Sequence, residues 1–508
     1  MVTSTIDKVE EKPFIEQIST DDIEDISQGE KYIVFKEDSE ELSFHKEQFV
    51  DYNELDYDSE DDPDDPANWP LRKKWFIIIT LSLICFCCTL GSSIYIAGVP
   101  EMMVVFGKSR EICISGLTLY LLGLSFGPFF TAPLSEVIGR RIIYISSFPI
   151  GMLFVLGIGF AKNIETVLVL RFFAGYFSSP ALSLVGGTIS DLFHKDPQLM
   201  SKAIAMFCLA PFAGPVLGPV IGVLLMFYGL VLPFLMTVPE TYKPILLVKR
   251  AKKRGINIQG PTFSKKYFIQ MAQNDLVKPI KMFISDPIVS VLSIYIAFVF
   301  AVLFAFFEAY PVIFMEVYQM DVGEAGLPFL GIGIGVVSGL ATFAIINKYL
   351  FFPKEGKVNK YTTPESTFIV CKIGSVCLPI SLFWLGWTSK PSIHPLVPIA
   401  AGIPFGFGLL LVFFNVLLYF SKCYPPSNVA SAVAVNNLFR YFVAAIFPLF
   451  TVQMFTNLQI KWACSLFGFI ALGMVSVPFI FERYGAKLRA NSKYCGVDKD
   501  EQREISEV

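Results

Sequence analysis

The sequence predicts an all-α membrane protein made of two six-helix half-domains, and three observations carry that prediction. Of its 508 residues 54% are hydrophobic and only 17% charged, with 50 phenylalanines, which is more apolar surface than one water-soluble core can hide. Apolar segments long enough to cross a bilayer follow one another from about residue 75 to residue 481. Lysines and arginines crowd into every second loop, and a long basic stretch divides the segments into two groups.

Taken in order, residues 1–66 are polar and acidic and hold too little apolar surface to fold alone. A disordered cytosolic tail is expected there, without the basic start, short apolar stretch and small-residue cleavage site of a secretory signal. Spans follow at about 75–97, 112–133, 142–161 and 166–190, then a longer run at 203–238, then spans at 288–310, 325–347, 367–389, 396–420, 429–455 and 462–481. Arg72, Lys73 and Lys74 precede the first span, Arg140 and Arg141 follow the second, and Lys195 and Lys202 follow the fourth. The positive-inside rule puts those loops and the N-terminus in the cytosol.

The run at 203–238 is 36 residues without a charge. As one helix it would be about 54 Å long against roughly 30 Å of hydrocarbon, and as two it leaves each near the minimum of about 17 residues. Lys243, Lys249, Arg250, Lys252, Lys253 and Arg254 follow it, so both of its ends belong on the cytosolic side and the number of crossings is even. Two short spans with a tight turn around residues 218–222 are expected, twelve spans in all; a re-entrant element is the alternative. Lys348, Lys354, Arg483 and Lys487 keep the sign pattern and leave the C-terminus in the cytosol as well. The expected units are a tail at 1–66, a first transmembrane half at 67–240, a basic cytosolic linker at 241–287, a second half at 288–484 and a tail at 485–508, with a site near the midplane where the halves meet.

Ten cysteines are scattered, several within apolar runs (Cys85, Cys87, Cys88, Cys371, Cys377), and none forms paired motifs at metal-ligand spacing. His45, His194 and His394 lie far apart. No metal, no cofactor, no enzymatic centre and no nucleic-acid partner is expected.

Charged and conformationally special residues inside this apolar frame are the functional candidates. Between the second and third spans, Gly127-Pro-Phe-Phe-Thr-Ala-Pro-Leu-Ser-Glu136 runs into Gly139, Arg140 and Arg141. A carboxylate near two arginines at a glycine turn can latch helix ends and release them between conformations, although an ordinary basic loop would carry the arginines too. Arg171 in the fourth span is costly in hydrocarbon and is a candidate for charge relay, with snorkelling to a helix end as the competing explanation. Glu308, near the outer end of the seventh span, could bind a proton or a cation, or simply be solvated. Tyr295, Asn415 and Arg440 are the candidates for substrate contact. The repeat Gly214, Pro215, Gly218, Pro219, Gly222 puts small residues on one helix face and bends it.

These residues together resemble the fungal twelve-span drug:proton antiporter branch of the major facilitator superfamily, over more than four fifths of the chain. The likeness runs from Asp64-Asp-Pro66-Ala-Asn68-Trp69-Pro70 through the Ala132 to Arg141 loop, Arg171-Phe-Phe-Ala-Gly175, Gly186-Gly-Thr-Ile-Ser-Asp191, the Gly214 to Gly222 repeat and Pro239-Glu240-Thr241 to Tyr484-Gly485-Ala-Lys-Leu-Arg489. It implies the major facilitator fold and proton-driven export of drugs, polyamines, weak acids or other small hydrophobic or cationic compounds, by a monomer in the plasma membrane, with the vacuolar membrane as alternative. It also implies that the repeat is the antiporter motif. A loop and a longer entry to the sixth span are expected after Gly222, and this chain lacks about twenty residues there, which shortens the fifth and sixth spans. Lys422 stands where an acidic latch residue is expected, and Ser366-Thr367 where a basic one is. Two other readings stay open: a degenerate or mis-spliced member that transports nothing, and a membrane sensor that signals through its acidic tail.

Overall fold

Each apolar segment becomes a helix because, in a bilayer, only internal hydrogen bonding satisfies the backbone. A computed structural model describes residues 32–36, 42–46, 50–51, 55–218, 224–254, 258–259, 277–321, 323–346 and 363–495. The first half is built from α1 (Leu71–Ala97), α2 (Arg110–Ile138), α3 (Arg140–Ile158), α4 (Ile164–Ser178), α5 (Pro197–Leu217) and α6 (Leu224–Met236). Short helices Pro180–Ser183 and Val185–Phe193 continue α4. The second half holds α7 (Pro287–Tyr310), α8 (Phe329–Ile346), α9 (Phe368–Thr388) and α10 (Gly402–Cys423). Pro426–Met474 follows as one rod broken at Gln459 (φ 63°, ψ 153°) into α11, residues 426–458, and α12, residues 460–474, which Ser476–Asn491 prolongs. Asn428 at the start of α11 donates to the carbonyl of Tyr494, so the chain turns back between them. Outside the helices, Tyr32–Lys36 pairs antiparallel with Leu42–Lys46, and Val50–Asp51 pairs with Ile258–Gln259.

The two halves repeat one packing scheme. In the first, α1 packs on α5, α2 on α4, and α3 on α4; in the second, α7 packs on α11, α8 on α10, and α9 on α10. Gly123 and Gly175 let α2 and α4 touch, since a Cβ on either would strike the other's backbone, and Gly335 with Gly406 does the same for α8 and α10. The halves meet along α2 with α11 and α5 with α8. Among the described residues ten helical stretches are long and apolar enough to cross a membrane, the last of them the rod containing both α11 and α12.

The 203–238 run resolves unevenly. Asp196 caps the amides of Gln198 and Leu199 and Pro197 occupies the first turn, so α5 starts six residues before the uncharged run and has 21 residues. The expected shortness of the fifth span is thereby corrected. The described part of α6 has 13 residues and reaches about 20 Å. Phe148 of α3 stacks on Tyr228 of α6 at 4.7 Å. Lys195 before α5 and Lys243 after α6 both reach the same pre-membrane segment, to Asp65 at 3.0 Å and Asp56 at 2.7 Å, so the run returns to the face it left.

That pre-membrane segment also corrects the expectation of a disordered tail up to residue 66. From residue 55 onward the chain is packed against the basic face: Asp62 and Asp65 are buried, and Asp65 caps the short helix Pro66–Asn68. Lys74 donates to the carbonyl of Ala67 at 2.6 Å. Arg250, in the surface helix Lys243–Lys253, pairs with Asp58 and Asp62. The C-terminal residues after 485 are likewise engaged as far as Tyr494, with Ser492 donating to Asp286 at 2.6 Å.

Candidate transport pathway and its latches

Every charged side chain buried between apolar helices carries a desolvation cost, so its partners show what it is for. Glu308, 1% exposed near the end of α7, is held by Arg110 at the start of α2. The Nε and Nη2 of Arg110 both lie 2.9 Å from Oε2, while Oε1 accepts nothing. The pair joins the two halves at the end opposite the basic face. Thr118 donating to the Ala445 carbonyl (2.8 Å) and Ser125 donating to the Leu438 carbonyl (3.0 Å) continue that seam along α2 and α11. Arg110 escaped the sequence reading because a basic residue at a helix start near water looks solvated; only the approach of α7 gives it a partner.

Arg171 is buried inside the first half. Its Nη1 donates to the Gly91 carbonyl at 2.7 Å, and its guanidinium lies 3.9 Å from the Tyr95 ring and 5.6 Å from the Tyr120 ring. Its Nε has no partner. The ionisable groups facing it are tyrosines, Tyr95, Tyr120 and Tyr228. It is therefore a cation held by aromatic faces and a carbonyl, not a snorkelling side chain.

Between α7 and α10 an apolar seam too tight to admit a water molecule is lined by Ile296, Val299 and Phe300 of α7 and Leu409, Val412 and Phe413 of α10. Phe212 of α5 closes it from the other half, edge-on to Phe413 at 5.1 Å and to Phe300 at 6.1 Å. Arg440 of α11 lies behind the same two rings, 4.6 Å from Phe300 and 4.7 Å from Phe413. Tyr295 and Asn415 fall elsewhere: Tyr295 faces Cys371 and Ser375 of α9, and Asn415 turns its amide to the Leu411 carbonyl of its own helix. Of the three substrate-contact candidates, the seam thus adjoins Arg440.

The basic face carries one latch per half. Gly139 adopts φ 97°, ψ 151° between α2 and α3, a conformation natural only to glycine. The Glu240 carboxylate accepts from the first two amides of α3, Arg140 (3.2 Å) and Arg141 (3.0 Å), and from Thr241 and Tyr242. A negative group at a helix start is favoured by the dipole and the unpaired amides there. The Arg140 side chain pairs with Asp191 at 3.3 Å, and Glu136 on α2, though exposed, is also engaged. The latch is built from Asp191 and Glu240, whose motifs are visible in the sequence but whose pairing depends on α4 and the segment after α6 reaching the same corner. In the second half Glu365 meets Arg489 at 3.2 Å, and Lys372 pairs with Glu482. The last helix thus supplies the cation missing at Ser366-Thr367. Beside the first latch, Tyr57, Asp65, Asp191, His194 and Lys243 line a cavity of about 180 Å³. Burial, reinforced by Asp65 and Asp62, pushes the Tyr57 phenol well above its usual range.

Gly214 and Gly218 place the backbone of α5 against Thr89 and Ser93 of α1, with no room for a Cβ at either. Ser93 donates to the Gly214 carbonyl at 3.2 Å, and Pro215 is buried. Pro219 and Gly222, the rest of that motif, lie outside the described residues. No group of three or more metal-ligating side chains occurs among the described residues.

Comparison with known proteins agrees with this architecture. Residues 81–448 match the family model described as Major Facilitator Superfamily. Polyamine transporter 4 of Saccharomyces cerevisiae is 43% identical over 501 residues, covering 90% of this chain and 75% of that protein. The major facilitator superfamily multidrug transporter mdrA of Aspergillus fumigatus is 36% identical over 471 residues, covering 88% of this chain and 77% of that protein. Among solved structures, the proton:xylose symporter XylE bound to a bromo-deoxyglucose superposes with a TM-score of 0.59 at 15% identity, over 82% of this chain and 96% of that one.

Proposed function

The chain belongs to the Major Facilitator Superfamily, and on that premise we propose that it is a proton-coupled exporter of small organic compounds in the plasma membrane, with both termini in the cytosol. The observation that carries this reading is the ion pair between Arg110 of one half and Glu308 of the other. Alternating access requires the halves to rock about a central site, and an outward opening must part that pair. With the halves parted, Glu308 meets the external medium and takes a proton. Closure then buries a neutral acid, and loss of its proton toward the cytosol restores the carboxylate that Arg110 clamps, holding the outside shut while cargo enters from the cytosol. Arg171, a buried cation among phenols, supports a charge relay from the first half. The latches at Arg140 and Glu365 hold the cytosolic helix ends of each half.

The test is transport in proteoliposomes carrying Glu308→Gln. Without a titratable group, exchange of labelled for unlabelled cargo at equal pH should continue, while acceleration by a pH gradient should disappear. Gradient-driven export at the unsubstituted rate would refute the coupling role. A second reading, a member that keeps the fold and moves nothing, follows from the shortness of the uncharged 203–238 run for two crossings; absence of exchange as well as export in the unsubstituted chain would establish it.

A further inference from the structure

The pre-membrane segment that clasps the basic face carries a hydroxyl in the middle of its acids. Ser59 stands in Asp56-Tyr-Asp-Ser59-Glu-Asp-Asp62, with a carboxylate at each of the three positions after it. Its side chain is exposed, on a turn closed by two bonds. The Asp62 amide donates to the Ser59 carbonyl at 3.2 Å, and the Asp58 amide donates to the Asp62 carboxylate at 3.2 Å. That turn sets Asp58 and Asp62 together on Arg250, and Asp58 on Arg254 as well. Arg254 has both of its Nη atoms on Asp58, and Arg250 divides its own between Asp58 and Asp62. Glu60 is fastened through its carbonyl, which accepts from Lys195 and Asn68. Its side chain and that of Asp61 are exposed, and neither meets a basic group at ion-pair distance among the described residues. The turn therefore holds negative charge in excess, while the terminal nitrogens of both arginines are already engaged.

We propose that Ser59 is a phosphorylation site for a cytosolic serine kinase that selects acidic sequences, and that the phosphate opens the clasp. A kinase with a basic substrate groove is drawn to carboxylates that follow the hydroxyl, and the successive acids after Ser59 supply them. In the transfer Ser59 Oγ attacks the γ-phosphorus of a nucleoside triphosphate. The Oγ–P bond forms, the bond to the diphosphate leaving group breaks, and the hydroxyl proton passes to the base of the kinase. The product carries a charge of about −2 where a neutral hydroxyl stood. Beside Asp58, Glu60, Asp61 and Asp62, and with Arg250 and Arg254 already engaged, that charge adds repulsion rather than a new pair. Opening withdraws Tyr57 from the wall of the cavity beside the Arg140–Asp191 pair, so the modification reaches the latch of the first half. The assignment rests on the cytosolic placement of the N-terminal segment and not on transport.

The full-length protein in nanodiscs is incubated with ATP, magnesium and purified casein kinase 2 as the acidic-directed probe, and the phosphate is located by peptide mass spectrometry. Ser59 should be modified, and trypsin should then cut after Arg250 and Arg254 about tenfold faster, because cleavage tracks the population of the open clasp. Ser59→Ala should show neither effect. Arg250→Gln, which loosens the clasp and leaves the acids intact, should be cut faster after Arg254 without any kinase. Absence of phosphate from Ser59 in both the unsubstituted chain and Arg250→Gln overturns the site. Modified protein cut at the unmodified rate overturns the opening. Protein isolated from fungal cells with phosphatases inhibited, yet bearing no phosphate at Ser59, overturns the cytosolic assignment. A chain that is modified and opens but moves no cargo leaves this inference standing and sinks the exporter reading, whereas gradient-driven export by a chain that Ser59 phosphorylation never reaches does the reverse.

Discussion

At the scale of the residue, burial turns common side chains into functional ones. Arg171, Glu308 and Arg440 were legible in the sequence as charges where charges are costly, but not their partners. Glu308 finds Arg110 across 198 positions of sequence, and Arg171 and Arg440 find aromatic faces in place of carboxylates. Tyr295 and Asn415 show the converse, since a helical residue's type does not reveal which way it faces once every side is apolar. Gly139 is the residue whose role follows most directly from geometry. Alanine there must adopt φ 97° and press its Cβ into the Glu240 carboxylate, so Gly139→Ala should cost about 1–3 kcal/mol. The measurement is the thermal unfolding midpoint in detergent, expected to fall by several degrees; an unchanged midpoint would show that the corner is not held in this conformation.

At the scale of the element, helix existence was readable and helix limits were not. Hydropathy placed the start of the fifth span at the first residue after the last charge, whereas α5 carries Lys202 inside its first turns because Asp196 and Pro197 supply the true start signal. Capping chemistry sets an end more sharply than the apolar boundary does. The shortened α6 has a physical consequence of its own. A span of only its described 13 residues would reach about 20 Å and fall some 10 Å short of an ordinary hydrocarbon core, and mismatch costs fractions of a kcal/mol per Å. Reconstitution into bilayers of shorter acyl chains should raise the unfolding temperature relative to bilayers of longer chains. A midpoint independent of chain length would indicate that neighbouring helices, not lipid, compensate for the missing turns.

At the scale of the whole molecule, the acidic pre-membrane segment ties the first half to the helix that begins the linker. Hydrogen bonding to Lys243, Arg254 and Arg250 respectively holds the carboxyls of Asp56, Asp58 and Asp62 below the usual carboxylate range. Groups lowered in this way contribute stability that is complete above the ordinary carboxylate pKa and is lost as pH falls through the lowered values. At neutral pH the clasp is therefore fully formed. A chain starting at residue 55 should unfold and export like the full-length protein, whereas one starting at residue 67 should unfold at lower temperature, and high salt should narrow the gap between them. Equal unfolding of the two truncations would mean that the clasp contributes nothing. A non-transporting sensor that signals through residues 1–54 would lose its signal in both, whereas an exporter would keep its export in the first, which separates the two readings.

What the sequence by itself determined was the number and order of apolar helices, the single-sidedness of the 203–238 run and the family, because hydropathy, loop charge and glycine-proline motifs are properties of consecutive residues. Tertiary structure alone decided which charges meet. It set Arg110 against Glu308, Arg140 and the start of α3 against Asp191 and Glu240, and Glu365 against Arg489, and it left Arg440 among rings without a carboxylate. The physical reason is that a desolvated charge takes its meaning from whatever lies within a few ångströms of it. In a bundle of helices those neighbours come from segments 51 to 198 residues away.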